Sequence, residues 1–139
     1  MSHEIRIEQT YPFPPERVWR ALTESAALAE WLMPNNFEPR VGHKFQFRSE
    51  AMPGWRGFVD CEVIEVEPLR RLAFTWLGDD DWVAPTVVRW TLEPRDGGTL
   101  LRLEHTELKD PWGAALHAMF SQGWKKMLDK KLAAVLAKL

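Results

Sequence analysis

The chain has 139 residues, 45% of them hydrophobic, and a formal net charge of -2. That length fits one domain, residues 1–139, with enough apolar content for a core, which argues against disorder. The near-neutral balance and the lack of a basic patch or recognition motif exclude an overall field for nucleic acid or anionic lipid. One cysteine, Cys61, cannot form an internal disulfide, and no CxxC or Cys/His zinc spacing is present. The opening MSHEIRIEQT has no apolar signal-peptide core, and no run approaches the ~18 apolar residues of a membrane span. A cytoplasmic protein with no membrane association is expected. Eight tryptophans stand against one tyrosine. So many large, rigid rings in a small chain suit both a core and an aromatic-lined pocket.

Taken in order, Glu4 to Tyr11 alternate, with Ile5, Ile7 and Gln9 on one side, which predicts a strand with one wet face. Pro14 and Pro15 suit the entrance of a short helix whose inner face is Val18, Trp19 and Leu22. Thr23-Glu24-Ser25 breaks that pattern and can cap a second short helix over 26–32. From Lys44 the period becomes two: Phe45 and Phe47 mark a second strand, and Phe58 to Glu67 a third. In the third, Val59, Cys61 and Val63 share one parity and Ile64 and Val66 the other, so a bulge is expected near Val63-Ile64. Leu72, Phe74 and Trp76 define a fourth strand, and Gly78-Asp79-Asp80-Asp81 a polar loop tip whose spacing does not match a calcium loop. Val88, Trp90 and Leu92 mark a fifth strand, Asp96-Gly97-Gly98 a hairpin turn, and Leu101, Leu103 and His105 a sixth strand.

The remainder, Pro111 to Leu139, predicts one long amphipathic helix with Asp110 as N-cap. Trp112, Leu116, Phe120, Trp124, Leu128, Leu132 and Leu136 recur every four residues, with a second row of Ala115, Met119, Met127, Val135 and Leu139 beside them. Gly123 costs about 1 kcal/mol relative to Ala mid-helix. It marks either close packing against a neighbour or a thin spot on the wall of a cavity. The fold class expected is α+β: a curved, antiparallel six-stranded sheet wrapped on the long C-terminal helix, with two short helices after the first strand. A straight helix across a curled sheet leaves space between them, and a pocket there is expected.

The order of elements and several local motifs resemble the helix-grip (SRPBCC) superfamily, which includes START lipid-transfer domains, the birch pollen allergen and polyketide cyclases. Within it the chain resembles the branch named after the activator of heat-shock-protein ATPase. The residues carrying the resemblance are Pro14-Pro15-Glu16-Arg17-Val18-Trp19-Arg20-Ala21-Leu22-Thr23, Trp31-Leu32-Met33-Pro34, and Gly57 through Val66-Glu67-Pro68 with Leu72-Ala73-Phe74-Thr75-Trp76. Gly98-Thr99-Leu100-Leu101-Arg102-Leu103-Glu104-His105 and Gly123-Trp124-Lys125-Lys126-Met127-Leu128 complete it, so it spans nearly the whole chain. Two positions depart from the branch pattern. Gly42-His43 stands where Gly-Gly is common, and Glu107 stands where Gly often follows two residues after the histidine. The resemblance implies the helix-grip architecture but no shared catalytic set.

For chemistry, the histidines are His3, His43, His105 and His117, none at metal-ligand spacing with a partner. No nucleophile motif, phosphate loop or dinucleotide fingerprint occurs, so no metal and no cofactor are expected. His105 shares parity with Leu101 and Leu103 and should point inward, as a satisfied buried imidazole, a ligand anchor or a general base. His117 should be exposed. Glu62 and Arg89 should lie on the solvent face. Met119, Phe120 and Trp124 should meet the strand tryptophans, and the pocket wall expected is Phe47, Trp76, Trp90, His105, Met119 and Trp124.

The reading that follows is a protein that binds a small hydrophobic or aromatic ligand. The alternatives are an enzyme of cyclase or hydrolase type, with His105 as its base, and a co-chaperone or stress-response protein acting through its surface. The last of these would have a chaperone as partner. A homodimer through Trp55 or Trp82 is a further expectation.

Overall fold

The computed structural model describes residues 2–51, 53, 55–78, 84–109 and 113–139. The loop tip at Asp79 to Asp81, Trp82, the helix start at Asp110-Pro111, and Trp112 lie outside the described residues. Every expected strand forms: β1 (Ser2–Tyr11), β2 (Lys44–Arg48), β3 (Phe58–Glu67), β4 (Arg71–Trp76), β5 (Thr86–Arg95) and β6 (Gly98–Lys109). They join in one antiparallel sheet of order β1-β6-β5-β4-β3-β2, so the first and last strands are neighbours. The turns follow their residues. Asp96 and Gly97 both take positive φ (49° and 80°), the requirement of a tight two-residue hairpin. Glu67-Pro68-Leu69-Arg70 closes with Arg70 N–H donating to the Glu67 carbonyl, and Leu69 takes φ 68° at the position that favours glycine.

Alternation sends one parity of each strand inward. Val59, Cys61 and Val63 of β3, Leu72, Phe74 and Trp76 of β4, and Val88, Trp90 and Leu92 of β5 are all buried. The register shift in β3 falls between Val63 and Glu65, where the change of apolar parity places it. On the other face Arg102 pairs with Glu8 (3.2 Å) and Glu93 (3.7 Å), and Arg89 with Glu65 (3.4 Å). Glu62 lies opposite Lys44 on this same face. The β2 edge is covered: Arg48 N–H donates to the Pro34 carbonyl (2.8 Å) and Gln46 N–H to Asn36 Oδ1 (2.9 Å). Such pairing removes the template for strand addition.

The short helices are α1 (Pro15–Thr23) and α2 (Ser25–Trp31). The expected side-chain cap of α2 is absent. Glu24 is its N-cap without a side-chain bond, and the Ser25 hydroxyl donates instead to the Asn35 carbonyl. Trp31 is buried, donates its indole N–H to the Ala21 carbonyl (2.8 Å) and meets Trp90 edge-on at 5.8 Å.

The C-terminal helix is not one uniform rod. It runs as α3 (Gly113–Lys126), a π turn (Met127–Leu132) and α4 (Ala133–Lys138). The reason lies in the four-residue spacing. On an α-helix, with 3.6 residues per turn, a row spaced by four drifts by about 40° at each step. A turn bonded i→i+5 takes in an additional residue and resets the drift. Leu128, Leu132 and Leu136 are thereby all buried together with Trp124. Tyr11, at the end of β1, donates its hydroxyl to the Leu128 carbonyl inside the π turn (2.8 Å).

Candidate functional site

The inner face of the sheet meets the helix over a chain of rings. Trp76 sits 5.6 Å from Phe47, 5.5 Å from Trp124 and 6.2 Å from Phe120, centroid to centroid. Trp124 is 5.6 Å from Trp90. Most of these pairs are edge-on, the arrangement that brings a ring's positive edge to its neighbour's negative face. A second group, Phe37, Phe45, Phe47 and Phe74, continues the ring contacts toward β2.

His105 stands at the centre of the first group, with no solvent exposure. Its ring lies 4.9 Å from Phe120 and 5.9 Å from Trp76. Trp124 Nε1 is 3.0 Å from His105 Nδ1. An indole N–H can only donate, so Nδ1 is the unprotonated nitrogen and Nε2 carries the proton. Nε2–H then donates to Thr86 Oγ1 at 2.7 Å, and the Thr86 hydroxyl donates to the Trp76 carbonyl at 3.0 Å. Each N–H and O–H in this relay has an acceptor, and the Thr86 hydroxyl both accepts and donates. Burial pushes the His105 pKa down to about 3, so the ring is neutral at physiological pH. This is the satisfied imidazole of the three roles left open by the sequence. A general base needs a free lone pair facing a substrate, and the Nδ1 lone pair is taken by the helix.

Five of the six residues expected as pocket wall come together: Phe47, Trp76, Trp90, His105 and Trp124. Met119 does not. It is 58% exposed, and Phe120, about 100° further round the helix, meets His105 in its place. Thr86 was not singled out, although its parity with Val88, Trp90 and Leu92 marks it as a polar residue on the inner face. Two other expectations are corrected. His117 is half-buried rather than exposed, with its ring 6.5 Å from that of His3. Trp55 is not a free loop residue, since it is half-buried and its indole N–H donates to the Gly78 carbonyl (3.0 Å).

Gly123 separates its two readings. A Cβ built there would meet nothing within 4 Å, so close packing is not the reason for glycine. Beyond the site, Tyr11 and Cys61 are both buried, and burial, with Asp129 and Asp60 nearby respectively, raises the pKa of each. Neither is an activated nucleophile. Among the described residues no group of three or more metal-ligating side chains converges, and no helix is long and apolar enough to cross a membrane.

No curated protein matches the chain. Among solved structures it is similar to protein MLL2253 from Mesorhizobium loti, with 36% identity, 98% of each chain covered and a TM-score of 0.86. It is also similar to DynU16, a putative protein in the dynemicin biosynthetic locus, with 26% identity and a TM-score of 0.73. That match covers 96% of this chain but 47% of DynU16. The Aha1 protein of Colwellia psychrerythraea, solved as a dimer in solution, shares the fold at 20% identity and a TM-score of 0.78, with 96% of each chain covered. Residues 12–137 match the family model described as activator of Hsp90 ATPase homolog 1-like protein. Fold and sequence agree, and the chain belongs to the family of activator of Hsp90 ATPase homolog 1-like proteins.

Proposed function

We propose that the protein binds a small, neutral, hydrophobic or aromatic molecule between the sheet and α3. The observation that carries this reading is the composition of the wall. Its rings face one another across sheet and helix, while its polar groups, His105 and Thr86, satisfy each other. Such a wall offers stacking faces and apolar area but no charge, so recognition rests mainly on shape and burial at roughly 25 cal/mol per Å². The ligand's place is the α3 side of the cluster, where Leu116 and Phe120 are half-buried and Gly123 leaves space. The similarity to DynU16, from a biosynthetic locus, agrees with a small-molecule role. The enzyme reading draws no support from His105, whose two nitrogens are engaged. The surface-acting reading has exposed apolar side chains at Val41, Ile64, Leu69 and Met119, but these come from four different segments.

Native mass spectrometry of freshly purified protein, followed by tryptophan-fluorescence titration with neutral N-phenyl-1-naphthylamine, tests the proposal. A co-purifying small mass or saturable quenching is expected. Phe120→Ala should weaken the probe three- to tenfold, in line with the ~0.5–1.5 kcal/mol of an aromatic contact, and Gly123→Leu should abolish its binding by filling the space. No bound mass together with no saturable quenching would sink the proposal. The same spectra measure self-association in the cytoplasmic range of concentrations, including the homodimer expected from the sequence.

A further inference from the structure

Buried indole N–H groups ordinarily find an acceptor. Trp31, Trp55 and Trp124 do so, on the Ala21 carbonyl (2.8 Å), the Gly78 carbonyl (3.0 Å) and His105 Nδ1 (3.0 Å). Trp76, at the hub of the ring cluster and only 4% exposed, does not: among the described residues its Nε1–H has no acceptor. Its neighbours have none to spare. Phe47 and Phe120 are hydrocarbon, and Trp124 is itself a donor. The His105 Nδ1 lone pair is taken by Trp124, and Nε2–H donates to Thr86. The Thr86 hydroxyl accepts that proton and gives its own to the Trp76 carbonyl. Nor is the Trp76 N–H sealed in. Among the described residues, Arg102 Nε is the buried side-chain nitrogen or oxygen that lacks both a partner and open space beside it. The Trp76 N–H lacks the partner alone, so it opens on space that packed atoms do not fill. Trp90 Nε1–H likewise has no acceptor among the described residues, but its ring lies against Trp31 of α2, whereas Trp76 meets Phe120 of α3.

We propose that the Trp76 N–H is the donor that orients the ligand, and that the ligand is a neutral aromatic compound carrying a carbonyl oxygen. This rests on the binding reading and names the ligand class for the same site. A donor left without an acceptor raises the free energy of the unliganded protein, and a carbonyl brought by the ligand recovers that cost. A ligand hydroxyl or amine is disfavoured, because its own proton would compete for acceptors that His105 and Thr86 have already engaged. A carboxylate is disfavoured more strongly, since no cation in the ring wall offsets the loss of its hydration. The rings of Phe47, Phe120 and Trp124 around Trp76 then take the aromatic part by stacking and edge contact.

Two measurements test it: NMR of the indole N–H signals of the full chain, and displacement of N-phenyl-1-naphthylamine by a matched pair, 2-acetylnaphthalene and 2-ethylnaphthalene. Without ligand, the Trp76 N–H should exchange with deuterium roughly tenfold faster than those of Trp31 and Trp124, which are hydrogen-bonded. Equal protection of the three overturns the proposal whether or not anything binds. With 2-acetylnaphthalene, the Trp76 N–H signal should move downfield while that of Trp90 stays; a shift at Trp90 instead overturns the assignment. Trp76→Phe should weaken the ketone roughly three- to tenfold more than the hydrocarbon, the worth of one neutral hydrogen bond. An equal loss for both compounds overturns the proposal. The wild-type signals decide the matter alone if that variant does not fold. Binding of neither compound nor of the probe is a failure of the binding reading itself, and this proposal falls with it; binding of both with no response at Trp76 fails this proposal alone.

Discussion

His105 is the residue at which sequence and environment are most tightly linked. Its pKa falls from an ordinary 6.5 to about 3 on folding because burial disfavours the imidazolium. Between those values the unfolded chain binds the proton and the folded chain does not, so stability rises with pH and is lost as acid is added. The contribution is about 1.4 kcal/mol per pH unit across that window. Urea unfolding from pH 7 to 5 should show this slope, and His105→Gln should remove one proton's worth of it. A slope unchanged by the variant would mean that other groups set the acid limit. Glu107 makes a second prediction. It takes φ 67°, at a register shift where β1 and β6 fall out of step beyond His105. The resemblance to the branch implies glycine at this position, and the positive φ gives a physical reason for it. The shift lets Leu108 turn inward, although alternation counted from His105 would turn it out. Glu107→Gly relieves a conformation costing an L-residue about 1–2 kcal/mol, less the added freedom of glycine in the unfolded chain. A net gain of about 0.5–1 kcal/mol in denaturant unfolding is expected. At this scale the inward histidine was legible from parity, and Met119 was misplaced because two adjacent helical rows look alike until the register of the helix on the sheet is known.

The C-terminal helix shows what a periodic pattern does and does not disclose. The amphipathic stretch and its four-residue row were plain in the sequence, but the row was a sign of a π turn as much as of a helix. Seven apolar residues spaced by four cannot share one face of an uninterrupted α-helix, since the drift sums to roughly two-thirds of a turn. The structure resolves the conflict at Met127–Leu132 and places Tyr11 where the backbone bonding changes. Tyr11→Phe should therefore cost about 0.5–1.5 kcal/mol, the net worth of a buried hydrogen bond, a loss readable as a lower urea midpoint with an unchanged slope. Gly123 predicts the reverse sign. With nothing within 4 Å of an added Cβ, Gly123→Ala should gain about 1 kcal/mol from helix propensity alone. A loss instead would show that the space is smaller than the backbone implies.

The whole molecule is closed by its two ends. β1 pairs with β6, the last strand, and the terminal helix covers the face that both present. The strand count, the hairpin succession of β2 to β6 and the two-layer class could be read in advance, because hairpin turns such as Asp96-Gly97 and strict alternation are local signals, whereas the β1–β6 pairing carries no such signal. What lies across the interior was not legible, since the pairing of Trp124 with His105, or of Trp31 with Trp90, depends on how helix and sheet are set against each other. This closure has a consequence for truncation. Ending the chain at Leu132 would remove the buried Val135 and Leu136, the carbonyl that Arg17 caps and the Lys138–Glu30 pair. Two buried aliphatic side chains amount to about 3–6 kcal/mol of lost burial, comparable with much of the 5–15 kcal/mol that holds a domain together. The inner sides of α1 and α2, including Val18 and Leu28, would face water as well. The sheet and its local turns do not depend on those seven residues. The truncated chain should therefore keep its far-ultraviolet strand signal while losing the near-ultraviolet tryptophan bands and a sharp thermal transition, the behaviour of a compact state without fixed packing. A truncated chain that still melts cooperatively with its tryptophan bands intact would show that the rings are fixed by the sheet and α3 alone.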